Sequence, residues 1–139
     1  MKAKYFTLAE MLESQTARRL KIVEQFEPPA DIVANLEELC KYILDPLREA
    51  AGPLKISSGY RCPKVNKLVK GAGSSQHIKG QAADLHPVEM THKALFELIL
   101  KLNLPFDQMI WEYGTMQEPA WVHISYGPLQ RRQVLHIGQ

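Results

Sequence analysis

No stretch of the 139-residue chain approaches the ~20 consecutive apolar residues that a membrane-crossing helix needs. There is no internal repeat, no low-complexity tract, and no Ser/Gly/Pro linker long enough to divide the sequence. Cysteine is scarce: Cys40 and Cys62 stand alone, form no C-x-x-C pair, and do not indicate a bridge. An excess of one charge is also missing. Seventeen Lys and Arg against fifteen Asp and Glu leave a formal +2, too near neutrality to argue for a nucleic-acid partner. The tight basic doublets, Arg18-Arg19 and Arg131-Arg132, read as solvated surface. Residues 1–7 contain no apolar h-region, so no signal peptide is visible. The chain is therefore expected to be made in the cytoplasm, and action at a cell wall would need another protein's export route or pore.

What is present suffices for one core. Apolar residues make up 45% and charged residues 23%, the balance of an ordinary soluble domain. A single domain over 1–139 is expected, with roughly 68% of the unfolded surface buried. Thr7 with Glu10 three residues later forms a capping box that predicts a helix to about Thr16, followed by irregular chain over 17–29. From Ala30 to Ala50, Ile32, Leu36, Leu39, Cys40, Ile43 and Leu47 recur at three- and four-residue intervals, one helical stripe. Pro46 inside that pattern should kink the helix or end a segment near Leu44. A weaker helical pattern covers 63–70 and a clear one 91–102. Strands are expected at 54–57, 81–85, 108–111, 121–126 and 133–137. Helices early and closely spaced strands late predict an α+β fold with a mostly antiparallel sheet and flanking helices.

The chemistry concentrates in two segments. Ser74–Asp84 reads S-S-Q-H-I-K-G-Q-A-A-D, a small-residue loop delivering His77 and then a strand carrying Asp84. Strand alternation puts Ala82, Asp84 and His86 on one face, and the same rule groups Trp121, His123 and Ser125 further on. Two imidazoles and a carboxylate form a ligand set that zinc accepts at a catalytic site. On spacing alone a bland reading competes evenly: His77 capping a loop, Asp84 pairing with Arg61, His123 a satisfied core histidine. His86, His92 and His136 read as surface or capping residues. Tyr60, Trp121 and Tyr126 are candidates to line a peptide groove, with packing over the site as Trp121's alternative.

Ser75-x-His77-x-x-Gly80-x-Ala82-x-Asp84 matches the S-x-H-x-x-G-x-A-x-D motif of the zinc D-Ala-D-Ala peptidases. Ser58-Gly59-Tyr60-Arg61 resembles their S-G-Y-R element, and Trp121-Val122-His123 their late W-x-H. With Leu44-Asp45-Pro46-Leu47-Arg48 included, the sequence resembles the compact carboxypeptidase-A-like branch of phages and bacteria from about Phe6 to Tyr126. The resemblance implies a small α+β domain shared with the hedgehog signalling domain and cell-wall peptidases. It also implies one zinc ion held by His77, Asp84 and His123. Arg61 would hold an oxyanion or a substrate carboxylate, and Ser75 would either donate to substrate or order the loop. Many relatives place an acid three residues before the last ligand, where this chain has Ala120. Glu112, in a stretch that resembles the hedgehog type, is the expected general base, with Glu118 in reserve. The implied activity is hydrolysis of peptidoglycan peptides, as a carboxypeptidase or an endopeptidase, in a phage lysis enzyme or part of a phage tail. The competing expectation is a non-catalytic zinc-binding recognition or structural module on the same fold.

Overall fold

The computed structural model describes residues 1–138. The first helix, α1 (Leu8–Leu12), opens on the expected capping box. Glu10 N–H donates to Thr7 Oγ1 at 3.2 Å, and Glu10 Oε1 accepts from Thr7 N–H at 3.1 Å. The helix does not continue to Thr16. Glu13 leaves the helical region with ψ 133°, and Ser14 recaps the chain by accepting from Ala17 N–H at 3.1 Å, starting α2 (Gln15–Leu20). A 3₁₀ turn follows at Val23–Phe26. Much of the segment expected to be irregular is thus helical. Its sequence carries no apolar period because Ala17 is the buried residue of α2.

The long apolar stripe divides into α3 (Ala30–Leu39), a π-helical turn (Cys40–Leu44) and α4 (Asp45–Ala51). Pro46 sits in the first turn of α4 and has no N–H to give. The register widens just ahead of it, with Asp45 N–H donating five residues back to Cys40 O. The stripe nevertheless stays inward: Leu36, Leu39, Cys40, Ile43 and Leu47 are all fully buried. Burial pushes the Cys40 thiol up to about 12, with the negative charges of Asp45, Glu10 and Glu37 adding to the effect. Cys40 therefore acts as a small hydrophobe, and both cysteines are free and buried.

Two further helices follow, α5 (Pro63–Leu68) and α6 (His92–Lys101), the latter capped by Thr91 Oγ1 accepting from Ala94 N–H at 3.0 Å. The strands are β1 (Leu54–Ser58), β2 (Ala82–Pro87), β3 (Gln108–Glu112), β4 (Trp121–Ser125) and β5 (Gln133–Ile137). They form one sheet in the order β1-β2-β4-β3-β5. β1–β2, β2–β4 and β3–β4 are antiparallel, but β3–β5 is parallel. The sheet is therefore mixed, a correction to the mostly antiparallel expectation. The chain reverses after β4 as a hairpin would, yet both neighbours of β4 are already in place. β5 lands one position further out, and a strand antiparallel to β4 must run parallel to β3.

The register sets two faces. Leu85 pairs with Val122, Ala83 with Ile124, and Ile124 with Met109, all fully buried on the core face. Asp84 pairs with His123, His123 with Ile110, and Trp121 with Glu112 on the opposite face. Among the described residues no helix is long and apolar enough to cross a membrane.

Candidate metal centre

His77 reaches the sheet from a 3₁₀ turn, Gln76–Lys79, whose two ends explain the sequence around it. Ser75 Oγ caps the turn by accepting from His77 N–H at 3.2 Å and accepts from Arg61 Nη2 at the same distance. Ser75 thus joins the loop to Arg61. Gly80 closes the turn at φ 68°, where a side chain would run into the Ile32 carbonyl and the Leu36 side chain on α3. Gly59 is constrained in another way, since any Cβ there would meet the backbone of Met11. That close approach brings Gly59 O within 2.6 Å of His77 Nδ1. A carbonyl only accepts, so His77 carries its proton on Nδ1 and turns a lone pair on Nε2 toward the sheet.

On the sheet, Asp84 and His123 face each other across the β2–β4 ladder. Asp84 Oδ1 lies 3.3 Å from His77 Nε2 and 3.1 Å from His123 Nδ1. The two imidazoles meet edge to face, 5.1 Å between ring centres. One donor atom from each of the three residues falls within 4.8 Å of the others. When the two rings are protonated, their hydrogen bonds and charge outweigh the burial that favours a neutral carboxyl and hold Asp84 well below the usual carboxylate range; when they are neutral, a cation takes the place of those protons. A buried carboxylate facing an imidazole lone pair is a cluster of acceptors, which a cation stabilises. The donor set therefore fits a metal ion, and His77, Asp84 and His123 are the residues able to hold it.

A cavity of about 700 Å³ opens over this cluster, lined among others by Arg61, Gln108, Ile110, Glu112 and Trp121. Glu112 is half-buried at the end of β3. Burial raises its pKa; His123 and Arg61 pull it down, while Asp84 pushes it up. Burial lowers the Arg61 pKa, and the carboxylates of Asp84 and Glu112 counter that. Arg61 Nε and Trp121 Nε1 are buried without a hydrogen-bond partner among the described residues.

The remaining candidates lie elsewhere. Glu118 Oε1 accepts from Lys93 N–H at 2.8 Å and lies 3.9 Å from His92 Nδ1, which commits it to the start of α6 rather than to the cleft. Tyr60 is buried, and Tyr126 stacks on Tyr42 at 5.1 Å, so neither joins the groove. His86 and His92 contact each other at 2.9 Å, and His86 Nε2 lies 3.0 Å from Ser57 Oγ. His136 packs on Trp111 and Phe96.

Several residues that shape the site had no signal in the sequence. Gln25 is fully buried; its Nε2 donates to Leu12 O and Tyr60 O, and its Oε1 accepts from Cys62 N–H, each at 2.8 Å. It thereby clamps the backbone on both sides of Arg61. Asp107 is buried under Arg131, whose Nε and Nη2 donate at 2.9 and 3.0 Å, and also accepts from Gln76 Nε2 at 2.8 Å. Arg131 is exposed, as expected of solvated surface, and also borders the cleft. A Pro-rich segment and a basic doublet do not reveal such long-range contacts.

The family model for peptidase M15 matches residues 4–125. No curated protein matches the chain.

Proposed function

Because the chain belongs to the M15 family of zinc D-Ala-D-Ala carboxypeptidase-like peptidases, we propose that its cleft hydrolyses peptide bonds of peptidoglycan. In this reading one zinc ion is held by His77, Asp84 and His123, on the hedgehog/DD-peptidase type of fold. The observation that carries it is the placement of Glu112 and Arg61 in the same cavity as the three ligand residues.

When bound, zinc supplies Lewis acidity, which brings the pKa of a water toward ~7 and polarises a carbonyl. Glu112 accepts a proton from the attacking water, a role helped by a pKa that burial raises. Arg61 lines the same cavity, where its guanidinium charge stabilises charge on the scissile carbonyl oxygen. Glu112 then returns the proton to the departing amine as the C–N bond breaks, so water is consumed and one carboxylate and one amine are formed. Ser75 and Gln25 hold Arg61 in place, the first by its side chain and the second through the flanking backbone.

The recognition-module alternative requires a metal centre without a base. Glu112 lining the cleft, despite Ala120 at the position where many relatives carry an acid, favours the peptidase. The test is digestion of purified peptidoglycan by zinc-loaded protein, with Glu112→Gln alongside at matched metal content. New amine and carboxyl ends should appear with the wild type and fall on the order of 10³-fold in rate with the variant. A wild type that releases nothing would favour the recognition module, and action by this protein at the cell wall would then have no support.

A further inference from the structure

The register that assembles the metal centre also divides the cavity above it. His123 stands opposite Ile110, so the ligand residues lie level with the middle of β3. Glu112 is two residues to one side, opposite Trp121. Gln108 is two residues to the other side. Asp107, just before Gln108, accepts from both Gln76 and Arg131, which places these two cavity-lining side chains at the Gln108 end. Arg131 is held there in one orientation. Its Nε and Nη2 donate to the two oxygens of the buried Asp107 carboxylate at 2.9 and 3.0 Å, and its backbone N–H donates to the same group at 3.0 Å. Gln130 and Arg132, on either side of it, have left-handed backbone with φ 44° and 53°, a conformation that their side chains disfavour and the surrounding contacts impose. A guanidinium has two forked edges. Asp107 occupies the Nε/Nη2 edge, and among the described residues no acceptor meets the Nη1/Nη2 edge.

Resting on the peptidase reading above, we propose that Arg131 determines specificity by binding a free carboxylate that the peptide carries two to three residues from the bond that is cut. Gln108 and Asp107 are two and three residue steps from Ile110, which is about 7–10 Å of extended chain. A terminal carboxylate next to the scissile bond lies only one step from it, about 3.5 Å, too near the metal for a guanidinium fastened to Asp107. The free edge of Arg131 therefore reads a more distant group than Arg61 does. Stem peptides of peptidoglycan offer one in the α-carboxylate of a γ-linked D-Glu, which some cell walls carry as a carboxamide. The fork tells these apart, because a carboxylate accepts at both oxygens whereas an amide presents one acceptor and one donor.

The test compares zinc-loaded protein on two soluble stem pentapeptides that differ only in whether the D-Glu α-carboxyl is free or amidated. The free acid should be favoured about fivefold in kcat/KM, the scale of a partly exposed charged pair, and added salt should shrink that preference. Arg131→Gln should bring the two substrates level through a rise in KM for the acid. That variant strands the buried Asp107 charge, so the double variant Asp107→Asn/Arg131→Gln, which neutralises both partners, is run beside it and should show the same levelling. An ion pair that only holds the loop would lower both rates equally and leave the preference intact, which overturns the proposal. A wild type indifferent to amidation of D-Glu, or responsive only to amidation of the C-terminal carboxyl, overturns it as well and leaves the peptidase reading standing. If the wild type cleaves neither peptide, the peptidase reading falls and calorimetry of the same two peptides decides. Tighter binding of the acid, lost in Arg131→Gln, then supports carboxylate recognition, and equal binding overturns it.

Discussion

Leu85 and Asp84 are neighbours in the sequence and opposites in chemistry. Leu85 is fully buried against the helices, with Val122 as its cross-strand partner. Asp84, one residue earlier, turns to the other side of the same sheet and faces His123. The core face is apolar and closed, whereas the cleft face gathers carboxylates, imidazoles and a guanidinium around a cavity. α6 packs on β2 and β4, so a single strand register stabilises the fold and positions the site at once. A slip of one residue would exchange the two faces completely. Stability and chemistry are thus written on alternate residues, and substitutions on adjacent positions should separate them.

The sharpest separation should come from that neighbouring pair. Leu85→Ala should cost about 3 kcal/mol in denaturant unfolding, with zinc affinity of the folded fraction close to wild type. Asp84→Asn should lower zinc affinity by at least ~100-fold by competitive chelation, because loss of a direct ligand exceeds the cost of losing a supporting one. Its metal-free stability should move far less than that of Leu85→Ala. If Asp84→Asn proved the more destabilising of the two without metal, the division between faces would fail.

Gln25→Ala tests a contact that crosses the division. It leaves three backbone groups unpaired, those of Leu12, Tyr60 and Cys62, and should cost about 2 kcal/mol. It should also depress kcat/KM, because the freed backbone carries Arg61. Normal turnover in a destabilised Gln25→Ala protein would show that Arg61 is held by Ser75 alone. The smallest effect should come from Asp107. Hydrogen bonds from Arg131 bring its carboxyl from an ordinary 3.8 down to about 2 against the opposing effect of burial. A carboxyl lowered in the folded state stabilises above its unfolded pKa, and that contribution is lost as pH falls from about 4 toward 2. Asp107→Asn should flatten the acid limb of a stability–pH profile in that window and leave pH 7 metal affinity unchanged.

The elements the sequence revealed are those whose cause is local. Thr7 and Glu10 cap α1 as their spacing predicts, the apolar stripe from Ile32 to Leu47 is buried along its length, and Pro46 marks the interruption in the helix. Alternation along β2 and β4 correctly grouped Asp84 with His86 and His123 with Trp121, because strand period needs no knowledge of partners. What the sequence could not convey is which strands are adjacent. The parallel position of β5 depends on β3 and β2 already flanking β4. The same holds for Gln25, whose partners lie 13, 35 and 37 residues away. Arg131 is solvent-facing as read, but its pairing with Asp107 was not legible because that partner lies 24 residues earlier. Ala120 left a gap in the family pattern that only the pairing of Glu112 with Trp121, two residues from His123, addresses.

The strand order also sets a timetable. β4 lies at the middle of the sheet but is the fourth strand to be synthesised, entering between β2 and β3. Until residue 125 has left the ribosome, β2 and β3 each expose a row of unpaired backbone groups, the kind of edge that recruits other chains. His123 travels on that same late strand. A nascent chain therefore has no complete ligand set with which a metal ion could fasten it early. Closure of the sheet and assembly of the metal centre become one late, long-range event, which predicts slow folding and a period of vulnerability to aggregation during synthesis.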